Sequence, residues 1–323
     1  MEWQTGIGKT GVALAAMIAC AMCVLSWIYH PVEIAPIQYG LCLPSPDSWK
    51  FDPFWSWIIN TFLIGLITVL LWLINKSYNF IRTTEPAIIA LFMVMASSTP
   101  WFTQSLNTSV LLCLANVICL GIVFASYSTR NATQQMFLLG VVVGVGSMFQ
   151  YAFLPTAFVY FLWALFMKVM RIKETMAFVA GILCPYWIAL GVGWLRLSDI
   201  RFPSLSPLFG SVHDYSDFLF LLGGIAFAIV GGFIVALVNS MKLYAGNSKV
   251  NAMNLCVNTL GFTSIACILV DFDNMQAYVI SLYAAFAVQL SNICALWNPK
   301  MPWMVTVLPA CVYIALFVGS VLL

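Results

Sequence analysis

Charge is what this sequence most lacks. It has 13 Lys and Arg and 11 Asp and Glu, so 7% of its 323 residues are charged, against about 25% in a typical soluble domain. So few charges cannot cover the surface of a soluble globule of 35.8 kDa. They also exclude a nucleic-acid-binding domain, which needs a basic face, and a disordered chain, which needs high charge and low hydrophobicity. Histidine is nearly missing. Only His30 and His213 occur, with no HxxxH or HxxE spacing, so neither a metal nor any other cofactor is expected. There is no linker, low-complexity tract or evident internal repeat, and the chain reads as one integral membrane domain over 1–323. No Asp, Glu, Lys, Arg or His falls at the middle of an apolar segment. That argues against a proton-coupled pump, which needs an intramembrane ionisable relay.

What is abundant is hydrophobicity, at 63% of residues. A bilayer-spanning helix needs roughly 20 mostly apolar residues. Eight segments qualify clearly: Gly11–Tyr29, Phe54–Asn75, Thr108–Ser126, Met176–Leu195, Phe218–Asn239, Met253–Val270, Met275–Trp297 and Trp303–Leu323. Pro86–Ser98, Met136–Phe149 and Phe153–Met167 are shorter, each a thin span or a re-entrant element. The expected fold is an all-α polytopic bundle of about eleven spans, with nine as the lower bound. The first segment is too long, and lacks the small-residue cleavage site, to read as a removed signal peptide.

Lys and Arg set orientation, because cytoplasmic loops retain them. With the N-terminus cytoplasmic, ten of the 13 fall inside: Lys9, Lys76, Arg82, Arg130, Lys168, Arg171, Lys173, Lys242, Lys249 and Lys300. Only Lys50, Arg196 and Arg201 fall outside, and the C-terminus emerges there too. The acids sort the other way, with Glu33, Asp47, Asp52, Asp199, Asp214, Asp217, Asp271 and Asp273 outside. Short outer loops need solubilising groups, which accounts for this. The alternative is that carboxylates gather where chemistry happens. The prolines of the two long outer loops (Pro31, Pro36, Pro44, Pro46 and Pro53; Pro203 and Pro207) predict ordered caps over the bundle.

Ten cysteines offer no disulfide framework, since only Cys42 lies in an outer loop. The others read as small apolar residues within or beside helices, and Cys20-Ala-Met-Cys23 lacks the βαβ context of a redox CxxC. Gly8-Lys9-Thr10 resembles the end of a phosphate-binding loop, but Trp3 stands where that pattern needs glycine. Three stripes of small residues predict close helix packing: Gly11, Ala15, Ala19, Cys23; Gly140, Gly144; and Gly224, Ala228, Gly232, Ala236.

Two places could hold a site. The ninth span carries Asn254, Asn258, Thr259, Thr263 and Ser264. These serve either as interhelical hydrogen bonds, the usual use of polar side chains in a bundle, or as the lining of a polar cavity. Such a cavity would open onto Asp271 and Asp273, with Asn116 and Gln289 as further lining. The outer loops carry the rest. Glu33 or Asp52 could act as a general base, and Arg196 and Arg201, beside His213, could bind a phosphate. Arg196 serves equally as a headgroup anchor, and Arg201 as a partner of Asp199.

The stretch Arg130 to Trp187 has a basic start, a Gly-rich span, the turn Tyr151–Pro155, an aromatic span, the basic loop Lys168–Glu174 and then Gly181-Ile-Leu-Cys-Pro185. It resembles an uncharacterised family of Bacteroidota polytopic inner-membrane proteins, as does Tyr278–Trp297. Asn131 departs from that pattern, which has an acid nearby. The resemblance implies a bacterial cytoplasmic (inner) membrane protein and names no activity. The order of an inner N-terminus, one span and an outer loop with a carboxylate just past the membrane is similar to C-type membrane glycosyltransferases. Glu33 takes that carboxylate's place, but the loop is shorter and has no paired-acid signature.

Three functions fit: handling or transfer of a polyprenyl-phosphate-linked saccharide at the outer leaflet, in cell-envelope biogenesis; a lipid or small-solute transporter or flippase lined by Asn254, Asn258 and Thr263; or a non-catalytic membrane subunit of an envelope or secretion complex. The expected partners are the lipid bilayer, a polyprenyl-phosphate-linked substrate or partner membrane subunits, and no nucleic acid.

Overall fold

The structure, a computed structural model, describes residues 9–29, 40–49, 51–81, 87–196, 198, 200, 219–243, 248–296 and 302–322. The described residues are mostly helical. In chain order the helices are α1 (Lys9–Tyr29), α2 (Pro53–Tyr78), α3 (Ala87–Ser97), α4 (Pro100–Gln104), α5 (Thr108–Ala125), α6 (Thr133–Phe149), α7 (Leu154–Phe166), α8 (Ile172–Gly191), α9 (Leu219–Leu243), α10 (Ser248–Val270), α11 (Gln276–Leu296) and α12 (Pro302–Leu322). Each of the eleven apolar segments forms a helix, and α4 is an addition. Seven are long and apolar enough to cross a membrane: α1, α2, α5, α8, α9, α10 and α11. The chain is thus a multi-pass membrane protein by length and composition.

α11 is the mast. Its apolar window is buried throughout, and it packs against α3, α5, α9, α10 and α12. Small residues Ala284, Ala285 and Ala287 let its neighbours approach. α3 shows how a short segment is accommodated. Its 11 residues reach about 17 Å, barely half of a hydrocarbon core of about 30 Å. Non-helical backbone at that depth survives only where protein satisfies it. Here α2 supplies the partners: Ser56 Oγ accepts from the Leu106 N–H at 2.8 Å, and the Asn60 amide donates to the Phe102 carbonyl. Asn107 Nδ2 donates to that same carbonyl at 3.1 Å. Its Oδ1 caps α5 by accepting from the Val110 N–H at 3.0 Å.

Loop contacts sort the molecule into two ends. At one, the 40–49 segment lies on the C-terminus of α6, with the Leu43 N–H donating to the Met148 carbonyl at 2.8 Å. Gly40 makes this approach possible, because a Cβ there would overlap the Phe149 backbone. The Asp47 carboxylate accepts from the Thr108 N–H at 3.0 Å and from its hydroxyl, at the head of α5. The Tyr151 hydroxyl donates to Asp271 Oδ2 at 2.8 Å. At the other end the Ser128 N–H donates to the Met167 carbonyl at 3.0 Å, Arg171 Nη1 donates to the Arg130 carbonyl at 3.4 Å, and the Tyr127 and Ser248 hydroxyls lie 3.0 Å apart. Lys249 Nζ sits over the rings of Tyr78 and Tyr127, 5.8 and 5.7 Å from their centroids. Every one of these contacts joins segments that alternating spans place on one side. The first end is acidic in sequence and the second basic.

Candidate functional site

α10 brings three asparagines to the basic end, and the neighbouring helices answer with amides of their own. Asn239 Nδ2 on α9 donates to the Gln289 carbonyl at 3.0 Å and to its side-chain oxygen. Gln289 Nε2 donates to Asn258 Oδ1. Asn292 Nδ2 donates to Asn254 Oδ1 at 2.6 Å. Residues 254 and 258 are one helical turn apart and so share a face. Gln289 and Asn292 sit one turn apart on α11 and meet them. Five amides from three helices are hydrogen-bonded in two sets, Asn239–Gln289–Asn258 and Asn292–Asn254, at a depth where an unpaired amide is costly.

The network does not consume itself. Asn239 Oδ1, Asn251 Oδ1 and Asn254 Nδ2 are buried without a hydrogen-bond partner, on side chains of which Asn239 is 1% exposed and Asn254 4%. All three residues line one cavity of about 200 Å³, together with Phe166, Ser240, Ala252, Leu255 and Asn258. The described residues lining it carry no formal charge. Since each amide has both donors and an acceptor, the wall presents both kinds of group whichever way the amides turn. A polar cavity of this size holds several waters or a ligand.

Asn258 also lines a second, narrow cavity. It runs along α9 and α10 over the floor of α11, between Ala228, Gly232, Phe233 and Ala236 on one side and Gly261, Phe262 and Ile265 on the other, with Phe286 beneath. The small-residue stripe of α9 therefore has two uses. At Gly224 it packs closely, since a Cβ there would reach within 2.6 Å of the Tyr283 hydroxyl. At Gly232 and Ala236 it leaves a slot. The slot's wall is apolar, and Phe233 and Phe262 at its rim are exposed.

Of the residues picked from the sequence, Asn254 and Asn258 meet in this site. Thr263 does not: it lines a separate void of about 10 Å³ with Asn116, Ser264, Cys267 and Ser281. There Tyr160 donates to Asn116 Oδ1 at 2.8 Å and Asn116 Nδ2 to Ser281 Oγ at 3.1 Å. The expectation that the asparagine cavity opens onto Asp271 and Asp273 is corrected. Those acids follow the far end of α10 (Ser248–Val270), about 20 Å of helix beyond Asn258. Asp271 is buried and holds Tyr151, while Asp273 is exposed. Burial, and then the Asp271 carboxylate, push the Tyr151 phenol well above its ordinary range. Asp52 is exposed and caps α2, accepting from the Phe54 N–H at 2.9 Å. Arg196 is exposed just past α8, at the acidic end. Glu33, Arg201 and His213 lie outside the described residues.

Sequence reasoning missed Asn239 and Asn292 and gave Gln289 a minor part. The available signal was amides recurring near the basic ends of three successive spans. Comparison with family models, with curated proteins and with solved structures finds no match for this chain.

Proposed function

We propose that the protein binds and carries an amphipathic molecule, its polar end in the amide cavity and its apolar part in the slot between α9 and α10. The observation that carries this reading is Asn258, which lines both the polar cavity and the apolar slot. One molecule with a polar and an apolar part would satisfy both at once. Leftover amide valences support the same reading, because a buried donor or acceptor without a partner costs about 1–3 kcal/mol and a ligand would supply the partner. The likeness is to a transporter or flippase site rather than to an enzyme centre. We read the cavity as cytoplasmic, because lysine and arginine gather in the loops at its end of the bundle.

The test is movement of NBD-labelled phosphatidylcholine, phosphatidylglycerol and monoglucosyl-diacylglycerol across proteoliposomes, read by dithionite quenching. Gly232→Leu or Ala236→Phe fills the slot without touching an amide, and either change is expected to slow the favoured lipid at least tenfold. Asp52→Ala, at the opposite end, is expected to leave the rate alone. Equal rates for wild type and both slot-filled proteins, with unchanged melting, would overturn the reading.

A further inference from the structure

The amide cavity specifies more than polarity. We propose that its ligand is a neutral glycolipid, bound by the hydroxyl groups of an uncharged sugar headgroup; this rests on the carrier reading above. Among the described residues, the cavity's wall is built from Asn239, Ser240, Asn251, Asn254 and Asn258 with Phe166 and Leu255, and none of these is charged. A phosphate in such a place would require an arginine or lysine partner, because a buried charge is tolerated only when paired. An ammonium headgroup would require a carboxylate or a cage of several rings, and Phe166 is a single ring. Lys249 is on the same helix, but its ammonium lies over the Tyr78 and Tyr127 rings, and it is not among the residues lining the cavity.

The unused groups match hydroxyls one by one. Asn239 Oδ1 and Asn251 Oδ1 need donors, and Asn254 Nδ2 needs an acceptor. A hydroxyl is donor and acceptor together, so neighbouring hydroxyls on one ring satisfy all three without any change of charge. Ser240 adds a further hydroxyl to the wall. Phe166 presents a flat apolar surface whose electron-rich face suits the C–H side of a sugar ring. The slot beyond Asn258 then selects a lipid over a free sugar. Gly232 and Gly261 each open a gap in one of its walls, and Phe286 and Leu282 make an apolar floor.

The experiment is native mass spectrometry of the full chain released from nanodiscs. These contain equal amounts of diglucosyl-diacylglycerol, phosphatidylglycerol and phosphatidylcholine. The expected result is retention of the glucolipid at least tenfold over either phospholipid. That preference should fall to twofold or less in Asn254→Leu. Asn251→Ala serves as a second variant: its side-chain oxygen has no partner to lose, so the fold tolerates the change, and its preference should fall as well. Gly232→Leu should abolish retention with all amides intact. Preferential retention of a phospholipid, lost in the same variants, would overturn the headgroup inference and leave the carrier reading standing. Binding of free maltose as tight as that of the glucolipid, with Gly232→Leu silent, would overturn the lipid part. Retention that no variant alters, at unchanged melting temperature, would sink both.

Discussion

Gly140 and Gly181 face each other across the parallel helices α6 and α8, and each occupies the same position relative to its partner. A Cβ built on Gly140 would lie 3.0 Å from the Gly181 Cα, and one built on Gly181 would lie 3.0 Å from the Gly140 Cα. Each would also overlap a carbonyl oxygen, that of Phe178 in one case and of Phe137 in the other. The symmetry extends along both helices, since Arg130, Phe137 and Gly140 recur at the same spacing as Arg171, Phe178 and Gly181. The two backbones are close enough for Cα–H···O contacts, which in lipid replace the hydrophobic drive that is missing there. α8 needs this interface, because its other face is open, with Ile172 81% and Trp187 80% exposed.

Gly140→Ala and Gly181→Ala should therefore each destabilise the protein by about 1–3 kcal/mol, the usual cost of overpacking. The paired control is Gly65→Ala, where nothing lies within 4 Å of the new methyl and helix propensity favours alanine. Thermal melts in detergent check both. Equal stability of the Gly140 and Gly65 variants would contradict the close approach.

Asp47 ties the 40–49 segment to the head of α5, so Asp47→Ala should cost about 0.5–2 kcal/mol as a lost cap. It should also free the segment from its seat on α6. Limited proteolysis reads the second effect: cleavage between residues 40 and 49 should quicken in Asp47→Ala. It should not quicken in Asp52→Ala, whose carboxylate caps only its own helix.

The Tyr151–Asp271 pair makes a pH prediction. Burial first, and then the neighbouring carboxylate, raise the Tyr151 phenol above the ordinary value near 10. A group raised on folding contributes stability that is complete below its unfolded value and lost as pH climbs through the folded one. The contribution of this pair should thus be flat from neutral pH to about 10 and decline above it. Ultraviolet titration tests this. Tyr151→Phe should leave the set of phenols ionising near pH 10 unchanged, and Asp271→Asn should bring one additional phenol toward that set.

Gln289→Leu should be more damaging than replacing the whole amide group. It strands Asn258 and takes from Asn239 one of its two acceptors, leaving only the backbone carbonyl of residue 289, and a buried polar group that loses its partner costs about 1–3 kcal/mol. The triple variant Asn239→Leu, Asn258→Leu, Gln289→Leu leaves no amide of that chain unpaired, and should be at least as stable as the single one while losing lipid retention. A triple variant markedly less stable than Gln289→Leu would mean that the amides hold the helices together rather than serve a ligand.

Sidedness is checked with an impermeant thiol reagent. In a Cys42→Ser background, Pro44→Cys should react on intact cells and Asn131→Cys only after permeabilisation. Both residues are exposed, at opposite ends of the bundle. The reverse pattern would invert the orientation read from lysine and arginine.

Much of the fold was legible because the bilayer imposes a simple code. Long apolar segments must be helical to satisfy their backbone. The eleven segments accordingly read true to within a few residues, and Gly140 and Gly144 were recognisable as a packing face. α4 was not legible, since its hydrogen bonds come from Ser56 and Asn60 on α2, distant in sequence. The contacts of the carboxylates were not legible for a related reason. Asp47 and Asp52 look available in a list of outer acids, yet each sits at a helix N-terminus whose N–H groups need an acceptor. Asn254 and Asn258 could be picked out as two amides sharing a face.

The sequence by itself determined the class of the protein, the position of its helices and the sorting of charge between loops, because hydrophobic length and charge are local properties that the membrane reads one segment at a time. Only the tertiary structure decided that α9 and α10 flank a slot over α11, that Gln289 joins Asn239 to Asn258, and that Asn258 lines both the amide cavity and the apolar slot. Those facts depend on which helices are neighbours. Helix neighbours in lipid are chosen by the fit of glycine faces and amide pairs drawn from remote parts of the chain, which no single segment contains.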